Sequence, residues 1–407
     1  MLEPLPLLRS TLDFMPSPLA DRPGLVIRDP IYSDATLVIP PALVSCLELF
    51  DGKHSRSELR EALVRLSGSL DVSELESHLL KTISEAGFFF DDKYDRMATD
   101  RLTEFRNDPK RPPSHSGTSY ASDPEELHRT LARYIAAVPA GAPPVHKNIF
   151  GIAVNHMTPE LSQEGYGAAY RCLGPELEDR TFIILATSHY GISQHFGLTR
   201  KSYITPLGET SVDIPLVDWL EKKAFQAAII EDYCARMEHS AEFQVVFLQH
   251  LYGPHIRIIP ILCGSFHPSM CEGGFPEDDP GVAQFFDALG ELAAREGDRL
   301  FWVLSGLASH MGRHYGDTFV ALANNGKMLE VEISDRKRID RILANDAAGL
   351  WELCRENQDP QKWTLTLPAY TFMKAVPEAR GRLEYYGQKQ FDEQSVVTHA
   401  ALSFWRE

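Results

Sequence analysis

None of the six cysteines, Cys46, Cys172, Cys234, Cys263, Cys271 and Cys354, forms a C-x-x-C pair, which excludes a zinc ribbon and a thioredoxin-type motif. Thiols scattered in this way are most simply buried side chains in a reducing compartment. The 407-residue chain also lacks any apolar run near the roughly 20 residues that span a bilayer. Its first residues, Met-Leu-Glu-Pro-Leu-Pro, have neither the basic start nor the apolar stretch of a secretory signal, so the expected location is cytoplasmic. Positive charge is scarce: 40 Lys and Arg stand against 57 Asp and Glu, a net charge of −17 that argues against nucleic-acid and membrane partners. There is no G-x-S-x-G, no P-loop and no G-x-G-x-x-G, leaving hydrolase-elbow, NTPase and dinucleotide readings without support. The segment His310-Met-Gly-Arg-His314 has the i, i+4 spacing of helix-borne zinc ligands but lacks the glutamate of H-E-x-x-H.

What is present fits two domains. Residues 1–92 read as a small α+β unit. Residues 24–28 and 35–39 are expected strands, and residues 40–49 an expected helix. Ser55 and Glu58 form a capping box for a second helix, and a third runs over about 72–86 before Phe88-Phe89-Phe90 returns as a strand. This is a winged-helix order. Its third helix, with Glu74, Glu76 and Glu85 against Lys81 alone, is too acidic for DNA. Residues 93–111, charged and ending Asp-Pro-Lys-Arg, read as a linker. Residues 112–407 read as an α/β domain with a central, largely parallel sheet flanked by helices.

Four runs in this second domain, at 149–154, 182–186, 256–262 and 300–304, are apolar with almost no alternation, as in strands covered on both faces. Chemistry-bearing residues follow each run. Asn155-His156 comes after the first, Ser188-His189 after the second, Gly264-Ser265-Phe266-His267 after the third and Ser309-His310 after the fourth. Ligands of open α/β sheets bind beyond the carboxyl ends of the strands, where imidazoles would converge as metal ligands or proton carriers. Any one of them alone reads first as a loop histidine bonded to backbone, but His156 and His189 together favour a functional site, while His267 and His314 stay nearer the loop reading. A second constellation, Glu238-His239-Ser-Ala-Glu242, precedes the apolar stripe Phe243, Val246, Phe247 and Leu251. The two glutamates there fit either partners of metal-bound imidazoles or a helix cap with solvated carboxylates.

Two family resemblances follow from these residues. The stretch Leu-Val-Ile-Pro-Pro-Ala-Leu-Val-Ser-Cys-Leu-Glu-Leu-Phe-Asp-Gly at 37–52, with the Glu-rich helix after it, resembles the PqqD-like domains over about residues 15–92. Those domains bind leader peptides on a strand edge, so the resemblance implies a peptide or a modifying enzyme as partner. From about residue 112 onward the chain resembles the Memo family, AmmeMemoRadiSam system protein B. The motifs are Asp123-Pro-Glu-Glu-Leu127, Asn155-His156, Gly167-Ala-Ala-Tyr170, Thr187-Ser-His-Tyr190, Thr205-Pro-Leu-Gly208, Glu238-His-Ser-Ala-Glu242 and Ile259-Pro-Ile-Leu-Cys-Gly264. The family is similar in fold to LigB-type extradiol dioxygenases. It implies iron or copper held by His156 and His189, with His239 and His310 lining the pocket, and a radical SAM system protein as a partner. Two positions depart from its pattern: Leu307 stands where the family has Asp in S-S-D-x-x-H, and Pro368 where it has Cys in T-M-C-G-Y. Losing a thiolate leaves the metal short of a third ligand, for which His239, His310 and Glu242 are the candidates.

The expectation is a metal-binding protein, dioxygenase-like if active on a small-molecule substrate, with His239, His310 and Glu242 as the catalytic candidates. The rival expectation is a degenerate scaffold that recruits a peptide or modifying enzyme through its first domain.

Overall fold

Apolar runs and helix caps set the architecture of the computed structural model, which describes residues 4–17, 22–137, 143–146 and 148–406. The chain divides into two units, Met1–Asn107 and Asp108–Glu407.

In the first unit, strands β1 (Asp13–Pro16), β2 (Leu25–Arg28) and β3 (Thr36–Ile39) pair antiparallel in that order. The expected hairpin is β2–β3, and β1 is an additional strand. Residues Pro41–Leu49 wind as a 3-10 helix. Helix α1 (Arg56–Ser67) starts at Ser55, whose capping box with Glu58 is formed, and ends at Gly68 in the left-handed region. Helix α2 (Ser73–Glu85) packs Leu79 and Ile83 into a core with Leu59, Leu63, Phe88 and Phe89. Phe88–Phe90 does not become a strand; Phe89 makes one bridge to Leu8. The segment is too short, because Gly87 turns the chain (φ 74°) and Asp91 accepts the backbone N–H groups of Lys93 and Tyr94 at the start of α3 (Asp92–Asn107). Helix α3 occupies most of the stretch read as a linker. Its charges face water, while Phe105 is buried and Tyr94 stacks under the guanidinium of Arg9 at 4.0 Å. Arg9, itself buried, pairs with Asp29 at 2.6 Å.

The second unit is an α/β domain. Its strands are β4 (Lys110–Arg111), β5 (Ile149–Val154), β6 (Thr181–Thr187), β7 (Phe196–Leu198), β8 (Ser202–Thr205), β9 (Gly208–Val212), β10 (Ala228–Ile230), β11 (Arg257–Cys263), β12 (Leu300–Ser305), β13 (His310–Gly312), β14 (Arg380–Asp392) and β15 (Ser395–Trp405). Its helices are α4 (Pro124–Ala136), α5 (Gln163–Tyr170), α6 (Ile214–Lys223), α7 (His239–Tyr252), α8 (His267–Glu272), α9 (Pro280–Glu296), α10 (Lys327–Leu343), α11 (Ala347–Arg355) and α12 (Thr366–Ala375). Among the described residues the main path of the sheet runs β13-β15-β5-β12-β6-β11-β9-β8-β4, with β14 on β15 and β7 on β11. The four expected strands β5, β12, β6 and β11 are its parallel centre. Residues such as Ile152, Ile183, Ile184, Leu185, Ile258, Val303 and Leu304 lose all exposure there, each contributing about 1.5–3 kcal/mol.

Because β12 lies between β5 and β6, the chain crosses over it after β5 through α5, and the crevice lies at the carboxyl ends of those strands. Helix α5 approaches closely only through glycine. A Cβ on Gly165 would come within 2.6 Å of Asn155 Nδ2 and 2.8 Å of the His399 ring. Helix α7 is buried on every side from Ser240 to Gln249, more deeply than the expected single stripe implied. No described helix is long and apolar enough to cross a membrane.

Candidate metal centre

Helix α7 meets the sheet where β5, β6 and β12 end. Ser240 Oγ donates to the Thr187 carbonyl and Ser305 Oγ donates to the Ser240 carbonyl, both at 2.7 Å. Gln244 Nε2 donates to the Asn155 carbonyl at 3.1 Å and to Ser305 Oγ at 2.9 Å. Four hydrogen bonds therefore fix the first two turns of α7 against three strand ends. That brings His239 beside His156, just past β5, and His189, just past β6.

The three imidazoles form one group, each offering a ring nitrogen, with these atoms all within 4.8 Å of one another. His189 and His239 stack with ring centres 4.7 Å apart, and His156 stands edge-on to both at 5.0 and 5.1 Å. Both ring nitrogens of His156 are buried without a hydrogen-bond partner. Burial, reinforced by the neighbouring imidazoles, holds its pKa well below the ordinary imidazole value. Burial likewise lowers His239 to about 4, against the pull of Glu238.

Glu238 orients the group. It is buried and caps α7 by accepting from the Ser240 N–H at 3.0 Å. It also accepts from the His189 backbone N–H at 2.9 Å and from His189 Nδ1 at 3.0 Å, which leaves Nε2 of His189 free. Burial alone would raise this carboxyl, but His189 outweighs it and keeps the group well below the carboxylate range. Reciprocally, burial opposes charge on His189, yet Glu238 raises its pKa.

Glu242, one turn later, sits in a different environment. It accepts from the Arg111 guanidinium, from the Tyr120 hydroxyl, and from the backbone N–H groups of Ser114 and His115 at 3.0 Å each. Its side chain has no exposure and its carboxyl is held low, burial being outweighed chiefly by Arg111. Of the three residues expected to act as catalytic groups, Glu242 therefore anchors the 111–120 segment to α7 with its oxygens already engaged. His310 starts β13 beside the cluster but outside the group of three. Its Nδ1 donates to the Lys362 carbonyl at 2.9 Å, leaving Nε2 without a proton, and burial lowers it to about 4. The i, i+4 pair His310 and His314 lies on a strand and a 3-10 turn, not a helix, and His314 is half exposed beside Asp392. His267 sits apart with Cys271 as its neighbour.

Sequence reasoning gave no site role to His115, which opens the segment His115-Ser-Gly-Thr-Ser-Tyr120 that resembles the family's first motif; its ring centre lies 5.6 Å from that of His239. No spacing announces it; it arrives because Arg111 and Tyr120 dock on Glu242. Of the two departures from the family pattern, Leu307 packs in an apolar cluster with Met157, Val397 and Tyr315. Pro368 is buried in the first turn of α12.

The donor set fits a divalent transition ion: three nitrogen ligands, one carboxylate behind them, and orphaned buried nitrogens on His156 that a protein without a ligand would leave unpaired. The family described as Memo-like protein matches residues 111–403. A MEMO1 family protein of Methanopyrus kandleri is 28% identical over 309 residues, covering 73% of this chain and 99% of its own. One from Thermococcus kodakarensis is 30% identical over 261 residues, covering 60% and 80%. One from Aquifex aeolicus is 28% identical over 243 residues, covering 58% of this chain and 62% of its own, so less than two thirds of that relative is spanned.

Proposed function

This chain belongs to the Memo family, and on that premise we propose that its second unit binds one iron or copper ion through His156, His189 and His239. The observation that carries the reading is His156, whose two buried ring nitrogens have no other partner. His239 takes the place of the third ligand that Pro368 cannot supply. Three imidazoles suit borderline ions such as these and leave coordination positions open for a substrate. Such an ion, when bound, would supply Lewis acidity or redox capacity to an oxygenated small molecule.

The chain's own residues do the rest. Glu238 fixes the ring of His189 and its tautomer. His310 keeps Nε2 unprotonated near neutral pH and is the group able to take a proton from substrate. Leu307 packs with Val397 and with Met157, the residue after His156. In this reading the protein is an oxidoreductase related to the extradiol dioxygenases. Calorimetric titration of chelator-stripped protein with Fe(II) under nitrogen, and separately with Cu(II), tests it. One site in the wild type that disappears in His239→Ala is expected, whereas identical titrations of the two proteins would remove His239 from the ligand set.

A second reading has its own observation. Leu307 fills with hydrocarbon the place where the family pattern carries a carboxylate, and in this reading the chain is a scaffold that has given up the chemistry. The first unit, with its three-stranded antiparallel sheet beside helices, would then act as a PqqD-like, winged-helix docking module for a peptide or a radical SAM partner in the cytoplasm. Capture of a partner that is unaffected by His156→Ala/His189→Ala but lost on removal of residues 1–107 would favour it; capture needing the histidines would count against it.

A further inference from the structure

Asp335, on α10, is a buried carboxylate with no ion pair to a cationic side chain among the described residues, and the chemistry proposed above makes no use of it. Its side chain instead accepts four hydrogen bonds from four separate pieces of chain. Oδ1 takes Ser309 Oγ at 2.5 Å and Trp363 Nε1 at 2.7 Å. Oδ2 takes Thr398 Oγ1 at 2.5 Å and the Tyr386 hydroxyl at 2.8 Å. All four lone-pair positions of the carboxylate are filled by neutral donors.

Two of those donors flank the support of one imidazole. Ser309 immediately precedes His310, and its backbone N–H is itself held by Thr398 Oγ1 at 2.7 Å. Trp363 immediately follows Lys362, whose carbonyl receives the His310 Nδ1 proton. The His310 backbone N–H donates to the Gln361 carbonyl, in the same loop. This loop cannot hold its shape unaided. Asn357, Gln358, Asp359 and Lys362 all have φ between 51° and 59°, the left-handed region that costs a residue with a side chain. External anchors keep it there: Arg338 on Asp359 at 2.8 Å, Lys362 Nζ on Asp317 at 3.1 Å, and Trp363 on Asp335.

We infer that Asp335 is a positioning residue: by clamping Ser309 and Trp363 to one carboxylate it holds the Lys362 carbonyl against His310 and fixes that imidazole as the Nδ1–H tautomer, with Nε2 left as the acceptor. The inference rests on the reading of His310 as the proton acceptor beside the three histidines, but it concerns a tautomer and can be tested without metal or substrate. The arrangement follows the general logic by which a hydrogen bond to one ring nitrogen decides what the other can do.

The test is nitrogen NMR of metal-free, full-length protein labelled at histidine, with the His310 signals assigned by His310→Gln. The wild type is expected to show one tautomer at His310, protonated at Nδ1. Asp335→Ala is expected to give a mixture of tautomers in fast exchange. Asp335→Asn, which keeps one oxygen for Ser309 and Trp363, is expected to restore most of the single form, a rescue that a loss of packing alone would not show. Should Asp335→Ala fail to fold, Trp363→Phe removes one donor and leaves the carboxylate, and the same mixture is expected there to a smaller extent. A His310 that stays entirely Nδ1-protonated in every folded variant of this set overturns the inference. Metal titration of the same proteins separates the two ideas: a wild type that binds no iron or copper ends the metal reading and leaves the tautomer result standing.

Discussion

Glu238 and Glu242 stand one turn apart at the start of the same helix, both without exposed side chain, and they serve opposite ends. Around Glu242 every acceptor position is taken, by Arg111, Tyr120, Ser114 and His115. Around Glu238 the hydrogen bonds lead outward to His189, and beyond it to His156 with two unpaired ring nitrogens. A buried polar node that is fully satisfied holds structure together, whereas unpaired ring nitrogens in a cluster of neighbouring imidazoles leave donor atoms available to a ligand. The E-H-S-A-E motif thus contains an anchor and a ligand-orienting group, and sequence spacing alone cannot tell them apart.

The largest expected effect lies at the anchor. Arg111→Ala strands the Glu242 charge in the core and should cost about 3–5 kcal/mol in urea unfolding, while the fraction that still folds binds metal as before. A cost near zero would mean that Glu242 is not the structural end of the pair. At the other end, Glu238→Gln removes the negative partner of His189. Its metal affinity should fall by about 10- to 100-fold with a much smaller loss of stability, read by competition with a chromogenic chelator. An unchanged affinity would leave the comparison without its functional half.

The smallest effect comes from His399, which shares the orphaned ring nitrogens of His156 but is not part of the three-histidine group. Burial lowers it to about 4. Between that value and the unfolded value of about 6.5, the unfolded chain binds a proton that the folded chain refuses, so stability rises with pH across this window and is lost on acidification. The slope attributable to His399 is at most about 1.4 kcal/mol per pH unit, and His399→Leu should remove it while leaving metal uptake intact. Urea midpoints measured from pH 7 to pH 4.5 would show this, and parallel acid limbs for the two proteins would contradict it.

Much of this was legible in the sequence because the central strands are continuous apolar runs, and a histidine just beyond such a run must emerge at the ligand-binding edge. His156 and His189 meet for that reason, and His239 joins them from the first turn of α7. Three features escaped. Helix α3 was hidden by its charges, since Phe105 is the residue it buries and the rest reads as a linker. His115 and the anchoring role of Glu242 depend on a contact across 131 positions, between Arg111 and Glu242, which no local pattern encodes. Asp335 looked like one more acidic residue on an amphipathic helix; only the folded chain shows Ser309, Trp363, Tyr386 and Thr398 converging on it.

The most direct test of the central claim is elemental analysis of the full chain, purified without chelators, beside the His156→Ala/His189→Ala variant. Near-stoichiometric iron or copper in the wild type, absent from the variant, is the predicted result. A wild type that carries neither metal and takes up neither when it is added would contradict the three-histidine centre.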